Sequence, residues 1–232
     1  MKQIRQRLND LSQGNEQYAN FHRKIIKTKQ TILGVRIPDM RQLAKFLSKQ
    51  YDFLAVKQLS KSLDKTVYEE ILLLGLIINY SRLQPKQKQE LLLGYFKMVD
   101  NWAEIDCVII DLKNIADIKT WWEFAMNCLT LSDEFTVRWS VVFLMKNFIN
   151  DDKLIAILTK FRDIKQDGYY VKMALAWFYA TAAINYFTSV MQELKNNQID
   201  LWIKRQTYQK MLDSYRITKS KKQIIRQARQ LL

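Results

Sequence analysis

The chain contains very few residues that turn or interrupt a backbone, with five glycines and two prolines among its 232 residues. A β-sandwich or β-barrel of this length needs many more turn residues, so all-β folds are poor candidates. Rossmann and P-loop enzymes need a glycine-rich phosphate turn, and no two glycines of this chain lie close enough to form one. These glycines are Gly14, Gly34, Gly75, Gly94 and Gly168. The sequence therefore predicts an all-α chain with short connections.

Apolar residues recur with helical spacing along most of the chain. Three segments predict helices that are apolar around much of their circumference: Val67–Tyr80, Thr136–Ile149 and Tyr169–Tyr186. Such helices must be covered on several sides, and more polar, amphipathic helices are predicted between them. The amphipathic segments are Gln84–Met98, Asp117–Cys128, Asp152–Phe161 and Ile199–Leu212. Pro38 is expected in the first turn of a further helix that runs to about Ser48.

The buried segments recur at a nearly constant interval. Segments that begin at Val67, Trp102, Val137 and Val171 align without gaps, with starts 35, 35 and 34 residues apart. Their seventh and eighth positions are apolar in all four cases. The interval is slightly below the ~40 residues of HEAT-type helix pairs. It predicts a single HEAT-like repeat domain over residues 1–232, an α-solenoid of stacked helix pairs with a concave, basic groove.

The positive charge is concentrated at the two ends of the chain. The formal net charge is +14, and residues 1–50 carry eleven Lys or Arg against three acidic residues. Residues 203–232 carry nine basic residues against one acidic residue, whereas residues 51–202 have a net charge of −2. A polyanion that bridges both ends explains this distribution, and nucleic acid is the usual partner of this kind. A basic but unspecialised surface is the alternative.

The scarcity of cysteine and histidine excludes several kinds of site. Cys107 and Cys128 lie in apolar helical patterns, which predicts core residues in a reducing compartment. With His22 as the only histidine, a structural zinc site and a His-dependent hydrolase are poor candidates. The longest apolar run, Ile71–Ile78, is too short to span a bilayer, and no apolar signal core precedes it. We expect a cytoplasmic protein with no metal or organic cofactor.

Four residues on the predicted groove-lining helices provide one acidic, one basic and two aromatic side chains. Asp106 follows Trp102 by one helical turn, so the two share a helix face. Arg138 and Trp177 occupy the two following repeats. Together they offer one carboxylate, one guanidinium group that can bind phosphate, and two indole rings that can pack on a sugar or a nucleobase. The alternative is that the tryptophans are core residues and that Asp106 and Arg138 form a buried ion pair.

Nearly the whole chain resembles the AlkD-type DNA alkylation repair family, HEAT-like-repeat DNA glycosylases that remove positively charged alkylated purines. The segment TILGVRIPDMRQLAK (Thr31–Lys45) resembles the family's glycine turn and proline-started basic helix. VDNWAEIDCV (Val99–Val108) resembles its Trp-x-x-x-Asp segment, and VRW (Val137–Trp139) its arginine helix. YYVKMALAWF (Tyr169–Phe178) resembles the helix with its second tryptophan, and SYRITKSKKQIIRQ its basic final helix.

The resemblance implies a role for each of these residues. Asp106 matches the catalytic carboxylate, Trp102 and Trp177 the tryptophans that pack on deoxyribose and backbone, and Arg138 the phosphate-holding arginine. The expected reaction is hydrolysis of the N-glycosidic bond of cationic N3- or N7-alkylated purines in double-stranded DNA, by a monomer that holds the lesion on an open groove surface. Further phosphate contacts are expected from five basic residues: Arg36, Arg41, Lys172, Arg216 and Lys219.

Two other functions remain open at this point. Ile25 stands where active members of the family carry an aromatic residue, which favours a non-catalytic paralogue that binds DNA or RNA. A protein-interaction scaffold is the commonest role of helical solenoids, and the two basic chain ends argue against it.

Overall fold

A computed structural model describes residues 2–113 and 117–232, and these residues form fourteen helices and no strand. The predicted all-α class is therefore confirmed. Among the described residues, 2–110 and 117–121 form one compact unit, and 111–113 and 122–232 form a second. The prediction of a single repeat domain with a concave groove stays a prediction.

The first seven helices lie in the first unit, the eighth begins in the first unit and ends in the second, and the last six lie in the second unit. The first eight are α1 (Lys2–Ser12), α2 (Glu16–Ile25), α3 (Ile37–Leu47), α4 (Phe53–Ser62), α5 (Tyr68–Tyr80), α6 (Pro85–Phe96), α7 (Trp102–Asp106) and α8 (Ile118–Cys128). The next six are α9 (Glu134–Asn147), α10 (Leu154–Phe161), α11 (Tyr169–Ala182), α12 (Phe187–Glu193), α13 (Leu201–Asp213) and α14 (Lys219–Gln230). Within the parts of the chain described here, no helix is both long enough and apolar enough to cross a membrane.

Helix α5 forms the centre of the first unit. Every residue from Tyr68 to Ile78 is buried, as the apolar pattern predicted, and α3, α4, α6 and α7 pack around it. Gly75 allows this close packing, because a side chain there would overlap Tyr95 of α6 and Val108 after α7. Burial on all sides explains why α5 has no polar stripe.

Helix α11 has the same central place in the second unit, where it packs against α9, α12 and α13. Both α9 and α11 lie where the sequence predicted them, but α11 ends at Ala182, four residues before Tyr186. Tight turn hydrogen bonds end it, in which the amides of Ile184 and Asn185 donate to carbonyls three residues earlier.

The segment that begins at Trp102 departs from the predicted repeat. The other three segments lie in helices of 13 or 14 residues, but α7 has only five residues and the chain after it is irregular. Side chains bind the carbonyl groups that a longer helix would use. Arg41 donates to the carbonyl of Cys107, and the Asn79 amide donates to that of Ile109. Tertiary hydrogen bonds thus replace helical ones here.

A fully buried carboxylate, Glu69 of α5, holds the loop that precedes α3. Its oxygens accept the backbone amides of Leu33 at 2.9 Å, Gly34 at 2.8 Å and Val35 at 3.3 Å. Gly34 has a φ of +101°, and a side chain there would clash with Ala19 of α2. Burial raises the pKa of Glu69, and the three amide bonds oppose that rise.

Glu104 occupies the equivalent position of the next repeat segment, 35 residues later, and is also fully buried. One carboxyl oxygen accepts the backbone amide of Asp100 at 3.2 Å and the side-chain amide of Asn101 at 3.0 Å. Burial raises the pKa of Glu104 to about 9, so the carboxyl group is neutral near pH 7.

Substitution of Glu69 by alanine should lower the free energy of unfolding by about 3 kcal/mol, because two buried and one partly buried backbone amides lose their acceptor. Glu90→Ala is the matched control, since Glu90 pairs with Lys57 on the surface and its side chain is 57% exposed. That control should change stability by less than about 1 kcal/mol. Urea denaturation measures both values, and equal effects would contradict this role of Glu69.

Substitution of Glu104 by glutamine should make stability less sensitive to alkaline pH. The pKa of Glu104 is raised in the fold, so its contribution is complete below the unfolded pKa and is lost as pH rises towards about 9. Glutamine imitates the neutral acid and has no proton to lose. The stability of Glu104→Gln relative to wild type should therefore increase by more than about 1 kcal/mol between about pH 5 and about pH 9. A pH-independent difference would show that Glu104 is ionised throughout.

Candidate functional site

Helix α7 places Trp102 and Asp106 at its two ends, one turn apart, as predicted. The helix starts at Asn101, whose side-chain oxygen accepts the backbone amides of Ala103 and Glu104. Trp102 and Asp106 are both half-buried, in contrast to the fully buried residues between them. The indole N–H of Trp102 donates to the carbonyl oxygen of Ile25, the last residue of α2, at 3.4 Å.

The start of α7 is anchored to the chain that follows α2. Asp100 accepts the hydroxyl of Thr28 at 2.6 Å and the backbone amide of Lys29 at 2.9 Å. A third bond joins Asp100 to the side-chain amide of Asn101 at 3.0 Å. With the Trp102–Ile25 bond, these contacts fix the position of α7 against the end of α2.

The end of α7 is anchored by Arg41 of α3. The Arg41 guanidinium donates to the hydroxyl of Tyr80 at 2.8 Å and to the carbonyl of Cys107 at 3.4 Å. Burial raises the pKa of the Cys107 thiol, whereas the Arg41 charge lowers it and the Asp106 carboxylate raises it. Asp106 and Arg41 therefore lie close enough to influence the same group. Arg41 holds this turn in place, and its predicted contact with phosphate stays a prediction.

Arg138 lies in α9, in the second unit, and is only 4% exposed. It donates to the carbonyl oxygen of Tyr170 at 2.9 Å, and its guanidinium lies 6.0 Å from the centre of the Tyr170 ring. One turn earlier, Glu134 accepts the backbone amide of Tyr170 at 2.7 Å. Arg138 and Glu134 thus bind the carbonyl and the amide of Tyr170 and fix the first turn of α11.

Trp177 lies on α11 and differs from the tryptophans of the core. It is 40% exposed, whereas Trp121 and Trp139 are fully buried. Tyr170 precedes it by seven residues, which is two helical turns, so the two residues lie on the same face of α11.

The five predicted phosphate-binding residues have different surroundings. Arg36 is exposed at the residue before α3, and its guanidinium lies 5.1 Å from the Tyr18 ring centre. Lys172 pairs with Asp200 at 3.1 Å, which satisfies part of its charge. Arg216 and Lys219 are both exposed and lie just before and at the start of α14. This helix carries five basic residues and no acidic one.

The predicted site residues divide between the units. Arg36, Arg41, Trp102 and Asp106 belong to the first unit, and Arg138, Lys172, Trp177, Arg216 and Lys219 belong to the second. Sequence reasoning missed the supporting residues Asp100, Asn101 and Glu104. The sequence did contain a signal for two of them, because Asn followed three residues later by Glu is typical of a helix start.

Comparison with known families gives a match that covers most of the chain. The model of the family described as "DNA alkylation repair enzyme" matches residues 4–190. Searches of the curated proteins and of the solved structures found no significant match. The family match includes α7 with Trp102 and Asp106, α9 with Arg138, and α11 with Trp177. On this evidence the chain belongs to the DNA alkylation repair enzyme family.

Proposed function

We propose that the protein hydrolyses the N-glycosidic bond of cationic N3- or N7-alkylated purines in double-stranded DNA, with Asp106 as the catalytic carboxylate. The observation that carries this proposal is the short, firmly anchored helix α7, which holds Trp102 and Asp106 one turn apart in a chain of this family. The members of this pair are half-buried, so DNA can reach them while the helix stays fixed.

One carboxylate is sufficient for this chemistry. An alkylated purine that already carries a positive charge leaves as a neutral base and takes the electrons of the broken bond to C1′, so no acid has to protonate it. The sugar passes through an oxocarbenium-like state, which an adjacent carboxylate stabilises. Asp106 then orients a water molecule, which adds to C1′ and releases its proton to the surrounding solvent.

The anchoring of α7 gives this carboxylate a fixed position before DNA binds. The Asn101 cap and the Asp100–Thr28 bond hold the start of the helix, and Arg41 holds its end. Electrostatic stabilisation is most effective when the charged group needs no rearrangement during the reaction. These contacts therefore act through Asp106 as positioning interactions.

Trp102 and Trp177 supply flat apolar surface. The N–H of Trp102 is used by the carbonyl of Ile25, so the rest of the indole is available for apolar contact with deoxyribose. An indole beside the sugar also stabilises developing positive charge by a cation–π interaction. We assign the same type of contact to Trp177, which is 40% exposed.

A non-catalytic nucleic-acid-binding protein is the second candidate. Ile25 favours it, because this 43% exposed aliphatic residue stands next to Trp102 at the position where active members of the family carry an aromatic residue. This candidate predicts salt-sensitive DNA binding without release of any alkylated base.

The substitution Asp106→Asn should lower the rate of base release from methylated duplex DNA by about 100-fold or more, because the amide cannot stabilise the oxocarbenium charge. DNA affinity should remain near that of wild type. Asp111→Asn is the matched control, since Asp111 is exposed and pairs with Lys146 at 3.6 Å. Undiminished release by Asp106→Asn would exclude the catalytic role, and DNA binding by an inactive wild type would establish the second candidate.

Substitution of Arg216 and Lys219 by alanine should reduce the salt dependence of duplex binding. Each lost phosphate contact lowers the slope of log affinity against log salt by about 0.9, so the double variant should lose about 1.8. Lys172→Ala should change the slope less, because Asp200 already pairs with that lysine. Titrations between about 50 and 200 mM salt measure the slopes. An unchanged slope in the double variant would remove these residues from the interface.

A further inference from the structure

Four aromatic side chains form a continuous row at the starts of α9, α11 and α13. Phe135 lies 5.4 Å from Tyr170, Tyr170 lies 5.4 Å from Tyr169, and Tyr169 lies 5.8 Å from Trp202, measured between ring centres. The contacts with Tyr169 are edge-to-face, which is a favourable geometry for aromatic pairs. We call Phe135, Tyr170, Tyr169 and Trp202 the aromatic ladder.

The aromatic ladder lies at the surface of the second unit. Tyr169 is 60% exposed, and its three partners are half-buried. Aromatic residues that serve the core of this unit, such as Phe178 and Phe143, are fully buried instead. Packing within the core therefore does not account for the exposure of Tyr169, which leaves much of its ring accessible to a ligand.

Charged side chains bind the backbone of two ladder residues, Tyr170 and Trp202. Glu134 accepts the amide of Tyr170 and Arg138 binds its carbonyl, while Asp200 accepts the amide of Trp202 at 2.7 Å. The Lys172–Asp200 ion pair then links the start of α11 to the start of α13. A surface fixed in this way loses little conformational entropy when a ligand binds.

Basic side chains close to the ladder and in the segment that follows it indicate the class of ligand. The guanidinium of Arg138 lies 6.0 Å from the Tyr170 ring centre, and Arg205 is exposed one turn after Trp202. Residues 203–232, which begin directly after the ladder, carry nine basic residues against one acidic residue. Flat aromatic surface beside cationic side chains matches a ligand with flat bases and an anionic backbone.

We propose that the aromatic ladder stacks unpaired nucleobases of single-stranded DNA adjoining the bound duplex. This proposal rests on the DNA-binding part of the proposed function and does not depend on catalysis by Asp106. Stacking on exposed rings tolerates any base sequence, whereas paired bases inside an intact duplex cannot reach the rings. The protein should therefore prefer DNA that contains a single-stranded gap. Trp202 lies outside the family match to residues 4–190, so the far end of the ladder is a feature of this chain's C-terminal segment.

Fluorescence anisotropy with a labelled duplex and with the same duplex carrying a short single-stranded gap tests this preference. Wild type should bind the gapped DNA about 5-fold tighter or more, and Tyr169→Ala and Trp202→Ala should each lose most of that preference. Tyr169→Phe keeps the ring and should bind like wild type. Ile155→Ala is the control, because Ile155 is 70% exposed on α10 and lies outside the ladder. Thermal melting verifies that each variant is folded.

The outcomes separate this proposal from the proposed function. Equal affinity of wild type for gapped and intact DNA, or a preference that survives Tyr169→Ala, would overturn the ladder proposal while intact-duplex binding and base release stand. Failure of wild type to bind either DNA would overturn the DNA-binding function and the ladder together. Loss of the gap preference in Ile155→Ala would show that the effect is not specific to the ladder.

Discussion

Hydrogen bonds from backbone amides to the carboxyl groups of glutamates are the interactions on which both units depend. Glu69 holds the loop before α3, Glu104 holds the start of α7, and Glu134 holds the start of α11. Helix starts and tight loops leave amides that no helical carbonyl can accept, and a buried unpaired amide is costly. These glutamates accept hydrogen bonds from such amides in the loop before α3 and at the starts of α7 and α11, the helices that carry candidate site residues.

The same contacts connect stability with function. Helix α7 is too short to be stable alone, so its position depends on Asn101, Glu104, Asp100 and Arg41. Those contacts also fix the backbone that carries Asp106. A similar arrangement holds the start of α11, where Glu134 and Arg138 fix Tyr170 on the face that also carries Trp177. Both units thus present aromatic surface from helices that are anchored by charged side chains.

The sequence predicted the helices well because their apolar spacing is strong, as in α5, which lies within one residue of the predicted segment. The same kind of pattern predicted that Trp102 and Asp106 lie on one helix, one turn apart. It overestimated α7, because the bond from Arg41 to the Cys107 carbonyl joins residues far apart in sequence and leaves no local pattern. The burial of Arg138 against Tyr170 and the aromatic ladder were missed for the same physical reason, since both depend on contacts between helices.

The proposed reaction of this protein is cleavage of the bond between an alkylated purine and its sugar. The most direct measurement is chromatographic analysis of the products after excess protein is incubated with methylated duplex DNA. We expect free, still methylated purines and an equal amount of abasic sites in the DNA. Purines that have lost their methyl group while remaining in the duplex, or DNA that is bound but unchanged, would contradict glycosidic hydrolysis.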